Sequence, residues 1–348
     1  MKRNTFILIT LSILTVVGLV LKAKPDELGE EISGADPLLI VVAILVYFVT
    51  TFLKMLRWHL LLRSTGYHFK LKKTALFFLM GLSINSVTPG GVSGEPVRVY
   101  FLRREADVPV GHGIATIFAE RFMDITVLVS FALFAIAFLI PLLSQGDIIE
   151  LVVPLALVSA LLIFVAYTVT HPEFLDRMVA WAFSILRRFR KFSSFEVKLE
   201  DWILKFKSGI VELASSKQHG VLFFVITYVI WTLSTLRIYI LLLALNVEVS
   251  LFAVFLTSSI TYIFGVILPG GSGNIAAITA VFSAVGVDPA AATAVGVLEV
   301  ATSLLFSVPA GTAAMAICGI QIERGEKGDR VIQNCPDDEP DTGPPDER

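Results

Sequence analysis

Pro-Gly-Gly occurs twice in apolar sequence, as Pro89-Gly90-Gly91 and as Pro269-Gly270-Gly271. Proline removes a backbone donor and glycine admits strained dihedrals, so a helix ends at each. Both copies stand in one frame. Arg57 lies 32 residues before Pro89, and Arg237 lies 32 residues before Pro269. Ser93-Gly94 follows the first copy and Ser272-Gly273 the second, and Glu120 and Glu299 come next, each inside an apolar stretch. One extra residue, Val92, changes the offset from 180 to 179. A shared frame of this length is an internal duplication. Paired Gly/Pro-interrupted segments at corresponding positions point to a transport site.

Apolar residues make up 55% of the 348-residue chain, and the mean hydropathy is +0.78. That is membrane-protein composition. Runs at 5–22, 37–57, 113–141, 151–169, 219–243 and 288–318 are long enough to cross roughly 30 Å of hydrocarbon. Two further apolar segments, 74–88 and 251–268, stop at Pro-Gly-Gly and are followed by short ones, 93–104 and 273–286. Irregular backbone at membrane depth is tolerated only where protein or a water-filled cavity covers it, so both breaks belong at the centre of the fold. Met1-Lys2-Arg3 before the first run has the look of a signal peptide. Lys22-Ala23-Lys24-Pro25 follows instead of a small-residue cleavage site, so an uncleaved first span is expected.

A formal net charge of −2 gives no argument for nucleic acid. Cys318 and Cys335 lack metal-ligand spacing and the five histidines are scattered, so no metal and no cofactor are expected.

Lysine and arginine set the orientation. Basic stretches at 54–73, 98–104 and 171–219 alternate with 142–150 and 244–250, which carry no Lys or Arg. With the basic stretches inside, both termini are cytoplasmic. Segment 74–104 then enters from the cytoplasm, turns at the first Pro-Gly-Gly and returns, while 251–286 starts and ends outside. The expected fold is an all-α polytopic membrane protein. It is an inverted-topology repeat with two re-entrant broken-helix hairpins and about eight transmembrane segments. One transmembrane domain covers 1–320, with repeat one at 37–141 and repeat two at 219–318. The connector 171–219 carries apolar residues at helical spacing (Phe174, Met178, Trp181 and Ile185, then Trp202, Phe206 and Ile210) among arginines. It reads either as helices lying on anionic inner-leaflet headgroups or as a solvated linker. The acidic tail 321–348, rich in Pro and Gly, is expected to be disordered.

Ionisable residues at membrane depth are costly and so are candidates for function. Glu120, Arg121 and Asp124 share one span, with Glu120 and Asp124 one helical turn apart. Glu299 stands alone among Ala, Val, Leu, Thr and Gly. It is either a hydrogen-bonded structural glutamate or a proton or headgroup site. Glu95 and Arg98 follow the first turn, where the second copy has Asn274 and Ala277. Arg57 and Arg237 fall near opposite faces, either snorkelling to headgroups or guiding phosphate. The Gly-rich turns, with Ser93, Ser272 and Gly271, offer backbone donors to phosphate or carboxylate, or serve packing alone. There is no Gly-Lys-Ser/Thr of a nucleotide loop, and Gly91-Val92-Ser93-Gly94-Glu95 misses the Gly-x-Ser-x-Gly elbow by one residue.

Thr88-Pro89-Gly90-Gly91-Val92-Ser93-Gly94-Glu95-Pro96 with Ala119-Glu120-Arg121, and Leu268-Pro269-Gly270-Gly271-Ser272-Gly273 with Glu299, resemble one family. It is the lysylphosphatidylglycerol synthase transmembrane region, also described as flippase-like or UPF0104 membrane proteins. The resemblance runs to about residue 320. In the bacterial multiple peptide resistance factor, a related region joined to an aminoacyl-transferase domain moves an aminoacylated lipid between leaflets. Archaeal relatives are fused or linked to polyprenyl-phosphate sugar transfer. The resemblance therefore implies a flippase for an anionic phospholipid or polyprenyl-phosphate-linked lipid, without the synthase activity. A lipid-modifying enzyme or glycosyltransferase is the implied partner. Two other readings stand beside it. One is a membrane phosphatase or transferase, although undecaprenyl-diphosphate phosphatases carry Arg directly after the motif serine, where this chain has Gly94 and Gly273. The other is a non-transporting membrane partner.

Overall fold

Asp-Pro steps open two of the long helices. Asp36 and Asp288 cap them with their carboxylates, on Leu38 N–H at 2.8 Å and on Ala290 N–H at 2.8 Å, and Pro37 and Pro289 take the first helical positions. The computed structural model describes residues 25–88, 93–139, parts of 156–177, 204–213, 217–267, 271–318, 321–325 and 328–332. The helices are α1 (Pro25–Ser33), α2 (Pro37–Ser64), α3 (Leu71–Val87), α4 (Gly94–Ala106) and α5 (Val110–Leu139). After them come α6 (Lys217–Ala244), α7 (Leu251–Ile267), α8 (Ser272–Ala284) and α9 (Pro289–Ile317). Four of them, α2, α5, α6 and α9, are long and apolar enough to cross a membrane, and α7 and α8 are shorter apolar helices. The protein is a helical, polytopic membrane protein.

The two halves match element by element. Helices α2 and α6 both have 28 residues, α3 and α7 both 17, and α4 and α8 both 13. Left-handed residues recur in the same frame. Gly66 and Asn246 follow α2 and α6, while Asp107 and Gly286 follow α4 and α8, all with positive φ. Glycine, asparagine and aspartate are the residues that tolerate this region, so helix ends are written locally.

Equivalent helices pack against each other. Asp36 N–H reaches the Ala244 carbonyl at 2.9 Å and Arg57 reaches Thr227 at 2.8 Å, so α2 and α6 run antiparallel. Their matching residues cross near Thr51 and Trp231. Helix α3 packs on α9, where Ser86 meets Ser307 at 2.9 Å. In the same way α5 packs on α7, where Ser259 meets the Leu128 carbonyl at 2.8 Å. Helices α3 and α4 form a hairpin, with the Phe77 and Phe101 rings stacked and Lys73 on the Glu105 carbonyl at 2.8 Å. The hairpin closes through glycine, because a methyl on Gly94 would overlap the Gly81 carbonyl. Small residues permit this backbone approach inside a membrane.

Helix α2 shows its two faces plainly. Leu38, Val41, Leu45, Phe48 and Phe52 are exposed, as suits lipid contact, while Ala43, Thr50 and Arg57 are buried.

Some expectations change. The span read as 37–57 runs on to Ser64. Lys54 and Arg57, taken as a basic loop, therefore stand inside a helix whose apolar face continues through Leu61 and Leu62. Residues 25–33 form α1, with Asp26 and Glu27 in its first turn and Leu28 buried. In the tail read as disordered, Gln321–Gly325 and Gly328–Ile332 pair antiparallel. Ile322, Val331 and Ile332 suit strands, and Gly325 and Gly328 flank the reversal. The first run, 5–22, lies outside the described residues, as does most of the connector. The connector's 204–213 helix packs on α5 through Phe206 against Phe118.

Candidate functional site

Helical spacing lines up polar groups on the inward faces. Tyr47, Thr50, Lys54 and Arg57 recur every three or four residues on α2, and Trp231, Ser234 and Arg237 every three on α6. These faces line a cavity of about 330 Å³. Helix α5 adds Glu120, Arg121 and Asp124, and α7 adds Ser258, Thr261 and Tyr262. Asn85 and Ser86 come from α3, Arg98 from α4, Asn274 from α8, and Glu299 and Ser303 from α9.

A chain of ion pairs crosses the first half. Arg57 Nη1 and Nη2 donate to the two Asp124 carboxylate oxygens at 2.7 and 3.2 Å, a fork that suits guanidinium. Glu120 bridges two arginines, accepting from Arg98 Nη2 at 2.6 Å with Arg57 Nη2 at 3.5 Å. Asp124 also accepts from Trp231 Nε1 at 3.0 Å. Arg121 pairs with Glu95 and donates to the Tyr262 hydroxyl at 3.1 Å. The Arg98 guanidinium lies over the Trp58 ring at 3.9 Å. Asn85, from the opposite arm of the hairpin, accepts from the first N–H of α4 at 2.6 Å, fixing the start of the helix that carries Glu95 and Arg98.

The second half holds the matching pair. Arg237 binds Glu299 and donates to Thr302 and Ser303 at 3.3 and 3.1 Å. Asn274 Nδ2 donates to the other Glu299 oxygen at 3.3 Å, and the Arg237 guanidinium lies 4.8 Å from the Tyr47 ring centroid. The duplicated arginine and the duplicated glutamate are thus joined in both halves. Ser303 stands on Arg237 where Asp124 stands on Arg57, and the rest of the second site is uncharged. These groups are nearly withdrawn from solvent: Arg57 is 2% exposed, Glu120 3% and Arg237 5%. Buried charges persist only when paired and hydrogen-bonded, as here.

Of the residues singled out from sequence, Arg98, Glu120, Arg121, Asp124, Arg237, Gly271, Asn274 and Glu299 line one cavity. Glu95 joins them through Arg121. Glu95 and Arg98, three apart, take different partners, Arg121 and Glu120. Ser272 is buried at the start of α8, and Ser93 precedes α4. Pro89, Gly90, Gly91, Pro269 and Gly270 lie outside the described residues. Arg57 and Arg237 are expected near opposite faces, either snorkelling to headgroups or guiding phosphate. Both line the cavity and are ion-paired rather than free to snorkel, because antiparallel α2 and α6 turn their polar faces together. Arg103 and Arg104 stay outside it, bonded to Asp107 at 3.3 Å and to Tyr100 at 2.9 Å. Lys54, Trp231, Tyr262 and Asn85 had no place among the sequence candidates. The signal available for Lys54 was its position one turn before Arg57, in sequence that stays apolar beyond it. Among the described residues no three His, Cys, Asp or Glu side chains converge as a metal site.

Membrane-length helices around a charge-lined cavity define a polytopic helical membrane protein with an internal polar site. Residues 7–318 match the family model described as the lysylphosphatidylglycerol synthase TM region, and the chain belongs to that family. A UPF0104 membrane protein of Methanothermobacter thermautotrophicus is 26% identical over 333 residues, covering 92% of this chain and 98% of the relative. One from Methanocaldococcus jannaschii is 24% identical over 326 residues, covering 91% and 96%. Glycosyltransferase AglD of Haloferax volcanii is 25% identical over 345 residues, covering 90% of this chain and 54% of that protein.

Proposed function

We propose that the chain carries the headgroup of an anionic phospholipid or polyprenyl-phosphate-linked lipid through this cavity from one leaflet to the other. The observation that carries the reading is the duplicated ion pair. Arg57–Glu120 and Arg237–Glu299 lie on either side of the α2–α6 crossing. Each arginine is six residues from Thr51 or Trp231, about 9 Å at 1.5 Å per residue. Two like stations at different depths, on antiparallel helices, suit a headgroup handed between leaflets by rocking of the two halves. The Lys/Arg distribution supports a cytoplasmic side for both termini.

Hydrolysis or group transfer is a weaker reading. Glu95, Glu120, Asp124 and Glu299 are all held in ion pairs by arginine, so none of these four carboxylates is left free to position a water. The likeness to Glycosyltransferase AglD favours a sugar-bearing lipid, or a glycosyltransferase that works beside this chain.

The test is a leaflet-resolved assay. Purified protein is placed in vesicles containing tail-labelled phosphatidylglycerol, and the label in the outer leaflet is reduced chemically. Loss of the protected fraction, faster than in protein-free vesicles of equal tightness, is expected. Protection equal to that of protein-free vesicles, for phosphatidylglycerol and for a polyprenyl-phosphate sugar alike, would sink the proposal.

A further inference from the structure

The charges around the cavity balance, with one exception. Arg57, Arg98 and Arg121 are matched by Glu95, Glu120 and Asp124, and Arg237 by Glu299. Lys54 is left over. Among the described residues it makes no ion pair and no hydrogen bond, and its Nζ lies 5.4 Å from the centroid of the Trp231 ring. It stands three residues from Thr51, so it lies nearer the α2–α6 crossing than either arginine. A cation without a counter-ion at membrane depth is costly.

Unpaired donors accompany it. Among the described residues Arg57 Nε and Arg98 Nε have no acceptor, and neither does the Thr261 hydroxyl. Arg57 is 2% exposed, Arg98 4% and Thr261 6%, and all three residues line the cavity. Buried N–H groups are rarely left without an acceptor. One surplus positive charge with several unused donors describes a receptor for a small oxyanion.

We propose that the cavity is matched to a single negative charge, that of a lipid phosphodiester, and that Lys54 sets this charge preference. The inference rests on the lipid-carrying reading above and narrows its substrate. A phosphodiester brings one charge and two unesterified oxygens, enough to neutralise Lys54 and accept from the idle donors. A phosphomonoester carries about −1.5 to −2 at neutral pH, and a diphosphate also exceeds one charge. Neither finds a second free cation, and the surplus faces Glu120, Asp124 and Glu299. A neutral lipid leaves Lys54 uncompensated.

The experiment measures binding at pH 7 with the full chain in uncharged detergent. Fluorescent phosphatidylglycerol is the probe, and its competitors are phosphatidic acid, diacylglycerol with the same chains, and the soluble phosphodiester glycerophosphoglycerol. The wild type should prefer phosphatidylglycerol at least ten-fold over each competitor. Lys54→Gln should lose about ten-fold for phosphatidylglycerol and cease to discriminate against diacylglycerol, while Lys54→Arg should retain the preference. Lys54 forms no ion pair among the described residues, and a monodisperse profile checks that each variant folds. Unchanged binding by Lys54→Gln, or a wild-type preference for phosphatidic acid, overturns the proposal. Glycerophosphoglycerol competing as well as the lipid would make the ligand a soluble phosphodiester and overturn the lipid assignment. Because the readout is binding, loss of translocation in vesicles would remove the carrier reading while leaving a charge preference measurable. Translocation without that preference would do the reverse.

Discussion

Arg237 and Glu299 offer a clean double-mutant cycle. Each is buried and each is the other's ion-pair partner. Glu299→Leu leaves Arg237 with only the Thr302 and Ser303 hydroxyls and the Glu299 backbone carbonyl, at 3.1–3.5 Å. Arg237→Met leaves Glu299 with only the Asn274 amide. Either single change strands a charge in a medium that cannot solvate it, and stranding one partner of a buried pair costs about 3–5 kcal/mol. The double change removes both charges and keeps apolar volume, so it should cost no more than one single change. Independent sites would instead add to about 6–10 kcal/mol. Unfolding by denaturant in mixed micelles, followed by tryptophan fluorescence, measures all four corners. A double variant as unstable as the sum would refute the view that the duplicated pair is one electrostatic unit. The same proteins address function. A double variant that is stable but fails in vesicles shows that the pair serves movement of the headgroup as well as folding.

Orientation is checked by single cysteines: one at exposed Arg103 should label from the cytoplasmic side and one at exposed Asp288 from the outside, whereas labelling from one side would remove the opposed placement of the two hairpins. Gly94→Ala should lose about 1–3 kcal/mol or more, or fail to fold, because its methyl would overlap the Gly81 carbonyl; Gly29→Ala, inside α1 with nothing within 4 Å, should instead hold stability or raise it by up to about 1 kcal/mol in a thermal melt. Asp288→Ala removes the carboxylate that caps α9 and should lower stability by about 1 kcal/mol, measured in the same melt, and an unchanged melting temperature would count against the cap.

Much of the architecture is local and therefore legible in the chain. Helices α3 and α7 stop just short of Pro89 and Pro269, which mark both breaks in apolar sequence, whereas Pro309 stays inside α9. Left-handed ends fall on Gly66, Asp107, Asn246 and Gly286, residue types that accept positive φ. The common frame of Arg57 with Glu120 and of Arg237 with Glu299 marked those four residues before any contact was known. Sequence does not determine which helix faces meet. Lys54 and Arg57 looked like a basic loop, because a charge after an apolar run reads as its end. Antiparallel packing of α2 on α6 made them the wall of a cavity, bringing Arg57 to Thr227 across 170 positions. The partner of each charge was settled in the same way. Glu95 and Arg98 sit one turn apart, yet they bind Arg121 and Glu120, because α4 lies against α5 and its side chains reach the neighbouring helix. Helical period assigns a residue to a face. Only the close packing of several helices decides what that face meets, and hence which of five cavity cations makes no ion pair among the described residues.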